Sequence, residues 1–170
     1  MKLAAFSVVI AASLSASGAY AHGDAKHTKK AAAPMEMKDT SFGRTGDPKK
    51  VSRTVEIDMS DEMRFAPAEL TVPAGETIRF VVKNSGAQRH EMVIGEAEAL
   101  KEHAALMKKF PGMEHDEPYM AHVSPGKSET IVWQFTKPGE FLYGCLSPGH
   151  FEAGMAGRIT VASKEKGKTK

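Results

Sequence analysis

A two-residue alternation of apolar and polar side chains, repeated through the middle of the chain, most constrains the fold. The clearest runs are 54–59, 78–83 and 130–135. Successive side chains of a β-strand point to opposite faces, so this period predicts strands with one buried face. Segments rich in Gly, Pro, Asn and Ser separate the runs and predict turns. Several short strands joined by turns predict a mainly β fold, either a sandwich or a barrel.

One segment, 96–110, departs from this alternation. The residues that recur there at helical spacing are Ala97, Leu100, Ala104 and Met107. Pro111 and Gly112 follow and predict the end of a helix. We therefore expect one helical insertion, about 96–122, within the β fold.

The two ends of the chain differ from the middle. Residues 1–21 combine a positive start, an apolar run too short to span a bilayer and an Ala-x-Ala cleavage pattern at 19–21. They predict a removable export signal, a periplasmic location and no stable membrane insertion; an uncleaved anchor is the alternative. Polar composition predicts a flexible arm over 22–50 and a basic tail over 163–170. The folded domain is expected at 51–162.

Composition limits the classes of function. The 170 residues carry a formal net charge of +2, which gives little support for nucleic-acid binding. A single cysteine excludes an intramolecular disulfide framework. That cysteine, the ten methionines and the seven histidines are soft or borderline ligands, which transition metals such as copper prefer.

Candidate metal ligands are concentrated near the C-terminus. Cys145, His150 and Met155 form a C-x4-H-x4-M pattern between two predicted strands, and His90 begins another predicted strand upstream. Taken singly, each has a structural reading as a satisfied histidine, a buried thiol or a packing methionine. Together, two imidazoles, one thiolate and one thioether are the ligand set of a type 1 copper site. Zinc is the main alternative, but a thioether is a poor zinc ligand.

These residues, together with the segment 65–84, resemble the plastocyanin/azurin family, the cupredoxins. The resemblance covers 51–162 and implies a Greek-key β-sandwich or barrel that binds one type 1 copper. The ligands that it implies are His90, Cys145, His150 and Met155. Cupredoxins often have Asn directly after the first histidine, where its backbone N–H reaches the cysteine sulfur. Glu91 stands there in this chain, so its backbone could do the same, but its side chain would not tether the ligand loop in the usual way.

The His- and Met-bearing insertion and the sequence His22-Gly23 narrow the resemblance to periplasmic copper-tolerance cupredoxins of the CopI type. Two M-x-H pairs lie in the insertion, and signal cleavage would free an α-amine beside the first histidine. Such ligands could hold a weaker second copper. The alternative is that the methionines only pack the insertion and the arm only solubilises the protein. The candidate secondary ligands are His22, His27, His103, Met107, Met113, His115, Met120 and His122.

Two functions fit this ligand set. One is copper tolerance, in which the protein binds or oxidises excess copper ions, and the other is electron transfer to a redox protein partner. Phe151, Leu146 and Pro148 could form the apolar docking patch that electron carriers usually expose. Catalysis is not expected, because a site with four protein ligands leaves no open position for a substrate. The additional histidines and methionines favour copper tolerance.

Overall fold

The computed structural model describes residues 37–113 and 115–163. The predicted signal segment, most of the predicted arm with His22 and His27, and the tail beyond residue 163 lie outside this range. The strands are β1 (Asp39–Thr40), β2 (Gly43–Thr45), β3 (Arg53–Ser60), β4 (Arg64–Ala66), β5 (Glu69–Pro73), β6 (Thr77–Asn84), β7 (His90–Gly95), β8 (Met120–Val123), β9 (Ser128–Gln134), β10 (Gly139–Gly144) and β11 (Ala156–Ala162). The helices are a 3-10 turn at Pro48–Lys50 and α1 at Ala97–Lys109.

The strands form two sheets, and the main core lies between them. The first sheet has the order β1-β2-β9-β6-β3-β4, and the second has the order β5-β11-β10-β7-β8. The β3–β6 and β5–β11 pairs are parallel, and the other pairs are antiparallel. The prediction of a mainly β sandwich is therefore confirmed.

The predicted alternation places every second residue of a strand in this core. Phe80 and Trp133 from the first sheet and Tyr143 from the second are fully buried. Burial of side chains of this size stabilises the fold by about 1.5–3 kcal/mol each. The Tyr143 hydroxyl donates a hydrogen bond to the Pro67 carbonyl, and burial raises the pKa of Tyr143 to about 12.

The described end of the predicted flexible arm is part of the first sheet. Strand β2 pairs with β9, and the adjacent Phe42 is 8% exposed. Its ring lies 5.3 Å from that of Trp133 and 5.4 Å from that of Tyr119. A Cβ on Gly43 would lie 2.3 Å from the Gln134 carbonyl oxygen, so the close approach of β2 to β9 requires glycine there. One aromatic anchor in a polar segment therefore extends the folded region to the N-terminal side of residue 51.

Helix α1 forms where the spacing predicted it. Its buried residues, Leu100, Ala104 and Met107, pack against Val93 of β7 and Leu146. Strand β7 is consequently buried on both faces, by the sandwich core on one side and the helix on the other. The insertion ends in β8, which pairs with β7. No helix among the described residues combines the length and the apolar character needed to cross a membrane.

Candidate metal centre

Neighbouring strands of the second sheet bring the predicted ligands together. His90 is the first residue of β7, and Cys145 directly follows β10. The two strands are antiparallel, with Gly144 opposite Val93, so the start of one lies beside the end of the other. His150 and Met155 lie on the loop that connects β10 to β11.

This ligand loop is closed by its own backbone. The Cys145 N–H donates to the Met155 carbonyl at 3.0 Å, and the Met155 N–H donates to the His150 carbonyl at 3.0 Å. Gly149 and Gly154 have φ angles of 87° and 90°, a left-handed conformation that glycine adopts without strain. The C-x4-H-x4-M spacing thus folds back so that its first and last members are hydrogen-bonded neighbours.

Three donor atoms converge at the base of the loop. The Cys145 sulfur lies 3.3 Å from His150 Nδ1 and 4.0 Å from His90 Nδ1. Among the described residues, these three side chains form the group whose ligand atoms all lie within 4.8 Å of one another. Two tetrahedral ligands with bonds of about 2.0–2.3 Å to one ion lie roughly 3.5 Å apart, so the spacing fits a shared metal. Met155 is fully buried in the adjoining core.

Burial favours the neutral forms of Cys145 and His150. It raises the pKa of the Cys145 thiol, and hydrogen bonds from Glu91 and Ser147 to the sulfur oppose this shift. Burial is the main cause of a lowered pKa of His150, and the charge of His90 is the second. The lowered pKa favours the neutral imidazole of His150. A neutral imidazole has the free lone pair that metal binding requires. A bound cation would take the place of the thiol proton, because a coordinating thiol is deprotonated.

Asp61 makes a contact with His90 that the sequence did not predict. It lies in the turn between β3 and β4, and its Oδ1 is 2.9 Å from Nε2 of the fully buried His90. Hydrogen bonds, first from the Ala87 backbone and then from His90, lower the pKa of Asp61. Its sequence context gives no sign of this contact, because it stands among polar residues 29 positions from the histidine that it contacts.

At position 91, where cupredoxins often have Asn, this chain has Glu, and the backbone and side chain of Glu91 make different contacts. Its backbone hydrogen-bonds to the Cys145 sulfur, as the resemblance implied. Its side chain is 8% exposed and its Oε2 lies 2.9 Å from His122 Nδ1, so it points to the insertion and not to the ligand loop. This hydrogen bond raises the pKa of His122.

The structure brings three of the candidate secondary ligands, His103, His115 and His122, close together. The ring centroids of His103 and His115 lie 4.6 Å apart, and those of His115 and His122 lie 6.5 Å apart. Both ring nitrogens of His115 are buried and have no hydrogen-bond partner among the residues that the structure describes. Met107 and Met120 are 8% and 6% exposed and pack in the α1 cluster, as the packing alternative predicted.

The His115 and His122 side chains also line a cavity of about 500 Å³, which reaches the metal centre at His90. Met107 and Met113 contribute to the same wall, and Met113 is 44% exposed. Burial, followed by the charge of His115, lowers the pKa of His103. The cavity therefore offers imidazole and thioether groups beside the three converging donors.

Comparison with known proteins gives consistent matches. A family model described as copper binding proteins, plastocyanin/azurin family, matches residues 51–162. The copper-resistant cuproprotein CopI of Rubrivivax gelatinosus is 47% identical over 153 residues, which cover 90% of each chain. CopI of Pseudomonas aeruginosa is 33% identical over 150 residues, covering 71% of this chain and 82% of its own. The crystal structure of dithionite-reduced auracyanin from Roseiflexus castenholzii superposes with a TM-score of 0.57 and 31% identity, covering 66% of this chain and 98% of its own.

Proposed function

Because the chain belongs to the plastocyanin/azurin family of copper binding proteins, we propose that it is an exported copper-resistance cupredoxin with one type 1 copper site. The observation that carries the proposal is the convergence of Cys145 Sγ with the Nδ1 atoms of His90 and His150. In this proposal Met155 would be the fourth ligand and would supply a thioether. Its support is the backbone closure of the ligand loop and its complete burial beside the other three.

The protein's contribution to such a site is to hold a nearly fixed donor set away from water. Cys145 and His90 are fully buried, and the loop glycines and backbone hydrogen bonds hold His150 next to the sulfur. The bound copper would supply reversible one-electron chemistry, which His₂Cys sites with a weak thioether ligand support. Four protein ligands leave no position for a substrate, so we propose a binding or redox role and no catalytic turnover.

Copper resistance is favoured over electron shuttling by the surface near His150. A shuttle needs an exposed apolar patch for its partner, and Leu146 was a candidate for it. Leu146 is 1% exposed and packs under α1, and Phe151 is only partly buried against the same cluster. The insertion thus covers part of the surface that the sequence assigned to docking. The relatives named as copper-resistant cuproproteins match over most of their length, which supports the same choice.

A weaker second copper at the insertion is part of the proposal. The histidines at 103, 115 and 122 lie close together, and Met113 lines the cavity beside them. His22 and His27 remain predicted ligands of an N-terminal site. Export to the periplasm rests on the composition of residues 1–21.

Copper titration of three purified variants tests the proposal. Wild type should bind one tightly held copper with intense thiolate-to-Cu(II) absorption, and Cys145→Ala should lose that absorption. The double variant Met113→Ala/His115→Ala should keep the coloured site and lose a weaker copper, whereas Met37→Ala, at a position 71% exposed, serves as the control. Unchanged absorption in Cys145→Ala would rule out the assigned site.

Growth of a deletion strain distinguishes the two roles. Copper sensitivity that wild type rescues and Cys145→Ala does not would support resistance. Respiratory failure at ordinary copper levels would support the shuttle and contradict our choice.

A further inference from the structure

We propose that Asp61 is a positioning residue for the copper site. Its carboxylate accepts a hydrogen bond from the Nε2–H of His90, and the Nδ1 lone pair of that ring is thereby directed towards the Cys145 sulfur. The inference rests on the proposed copper function. It assigns a role to a residue outside the cupredoxin ligand set, in the turn between β3 and β4.

The Asp61–His90 contact has the geometry of a hydrogen bond that orients the imidazole ring. Asp61 Oδ1 lies 2.9 Å from His90 Nε2, while Nδ1 of the same ring lies 4.0 Å from the Cys145 sulfur. The two nitrogens of His90 therefore face two different partners on opposite sides of the ring. His90 itself is fully buried, and the side chain of Asp61 is 36% exposed.

The chemistry of the carboxylate fixes which nitrogen carries the proton. An ionised carboxylate can only accept hydrogen bonds, so Nε2 must be the donor in this contact. In the neutral imidazole only one ring nitrogen is protonated, and Nδ1 is then left with its lone pair free. Metal-bound histidines commonly donate their other N–H to a carboxylate or carbonyl, which sets the ring orientation and raises its basicity.

The Asp61 carboxylate is itself held by the loop before β7. The Ala87 N–H donates to Oδ2 at 2.7 Å, and the Gln88 N–H donates to Oδ1 at 3.2 Å. A Cβ on Gly86 would lie 2.2 Å from Asp61 Oδ1, so the approach of the carboxylate depends on that glycine. Both oxygens are thus anchored by backbone that leads directly into His90, which makes Asp61 a fixed support.

A neighbouring carboxylate provides a matched control. Asp58 of β3 accepts a hydrogen bond from the Ser85 hydroxyl in the same loop. Asp61 and Asp58 therefore both brace the loop, and of the two the structure gives a contact with His90 only to Asp61. Any effect that comes merely from loosening the loop should appear in both alanine variants.

The experiment compares Asp61→Ala, Asp61→Asn and Asp58→Ala with wild type, loaded with copper. Loss of a supporting partner of this kind typically costs about 10–100-fold in metal affinity. We expect that loss for Cu(II) in Asp61→Ala, because the carboxylate makes the imidazole a stronger donor to the more highly charged ion. If Cu(I) affinity is kept, the reduction potential rises by about 59 mV for each tenfold loss. Asp61→Asn retains a weaker acceptor and should lie between, and Asp58→Ala should match wild type.

A second measurement, on metal-free wild-type protein, does not depend on any variant folding. In nitrogen-15 NMR, the neutral imidazole of His90 should be protonated at Nε2 and bare at Nδ1. The opposite tautomer would overturn the inference, as would equal potentials in Asp61→Ala and Asp58→Ala. Failure of wild type to bind copper would contradict the proposed function instead, and the tautomer would still decide the role of Asp61.

Discussion

The α1 helix supports the ligand loop from outside the sandwich, and this support can be tested with two leucines of the same helix. Leu100 is 3% exposed and packs in the cluster that contains Leu146, the residue after Cys145. Leu106 is 42% exposed. We expect Leu100→Ala to destabilise the metal-free protein strongly and Leu106→Ala to have little effect.

The expected size follows from burial. Leucine-to-alanine changes at buried positions cost about 2–5 kcal/mol, the lower values occurring where the surroundings can close the cavity. Leu100 contacts Gly95 at the end of β7 within a small cluster, so we expect a value in the lower half of this range, about 3 kcal/mol. For a chain of this length that corresponds to a fall in Tm of roughly 6–12 °C. Leu106→Ala should cost less than about 1 kcal/mol.

Urea and thermal unfolding of chelator-treated protein would measure both effects, with copper titration as a second readout. Leucine and alanine have similar helix propensities, so a difference between the variants reports packing and not helix formation. The coloured copper stoichiometry should stay the same in both, because neither side chain is a proposed ligand. Equal losses of stability in the two variants would refute the docking of α1 through Leu100.

Three further predictions concern the site, the core and pH. Met155→Gln should lower the reduction potential, because an amide oxygen favours Cu(I) less than a thioether does; an unchanged potential on voltammetry would remove Met155 as the axial ligand. Gly157→Ala should destabilise the protein by about 1–3 kcal/mol or more in urea unfolding, because the new Cβ would lie 2.2 Å from Cζ of Tyr143; wild-type stability would contradict that packing. The hydrogen bond that His122 donates to the Glu91 carboxylate raises the pKa of His122, so its contribution to stability is complete below the ordinary pKa of about 6.5 and is lost as pH rises through the raised value. The stability difference between wild type and His122→Gln should therefore shrink over that window, and a difference independent of pH would contradict this.

Local patterns account for the parts of the site that the sequence could predict. The ligand loop brings Cys145, His150 and Met155 together within eleven residues, so their proximity needs only a closed turn. The two-residue period likewise identified the face of β7 that packs in the main core, and the helical period identified α1. Both patterns arise within one element, where spacing alone determines which side chains share a face.

Contacts between distant turns could not be predicted in this way. Asp61 meets His90 because the turn after β3 lies against the loop before β7, which depends on the order of strands in the two sheets. The second M-x-H pair of the insertion lies on β8. Residues two apart on a strand share a face, so Met120 and His122 both lie on the side opposite the core-facing Ala121 and Val123. That placement makes one a packing residue and gives the other Glu91 as its partner.

The exchange of the usual Asn for Glu91 agrees with the way this ligand loop is supported. A side chain directed at His122 cannot also tether the loop, so the support must come from elsewhere. Leu146 and Phe151, on either side of His150, pack in the α1 cluster and fasten the loop from outside. The Lys108–Glu152 ion pair also joins helix and loop, but at 3.8 Å and with both side chains largely exposed it contributes little. Burial of Leu146 and Phe151 therefore holds the ligand loop in the absence of a side-chain tether from position 91. Glu91 retains only its backbone contact with the sulfur.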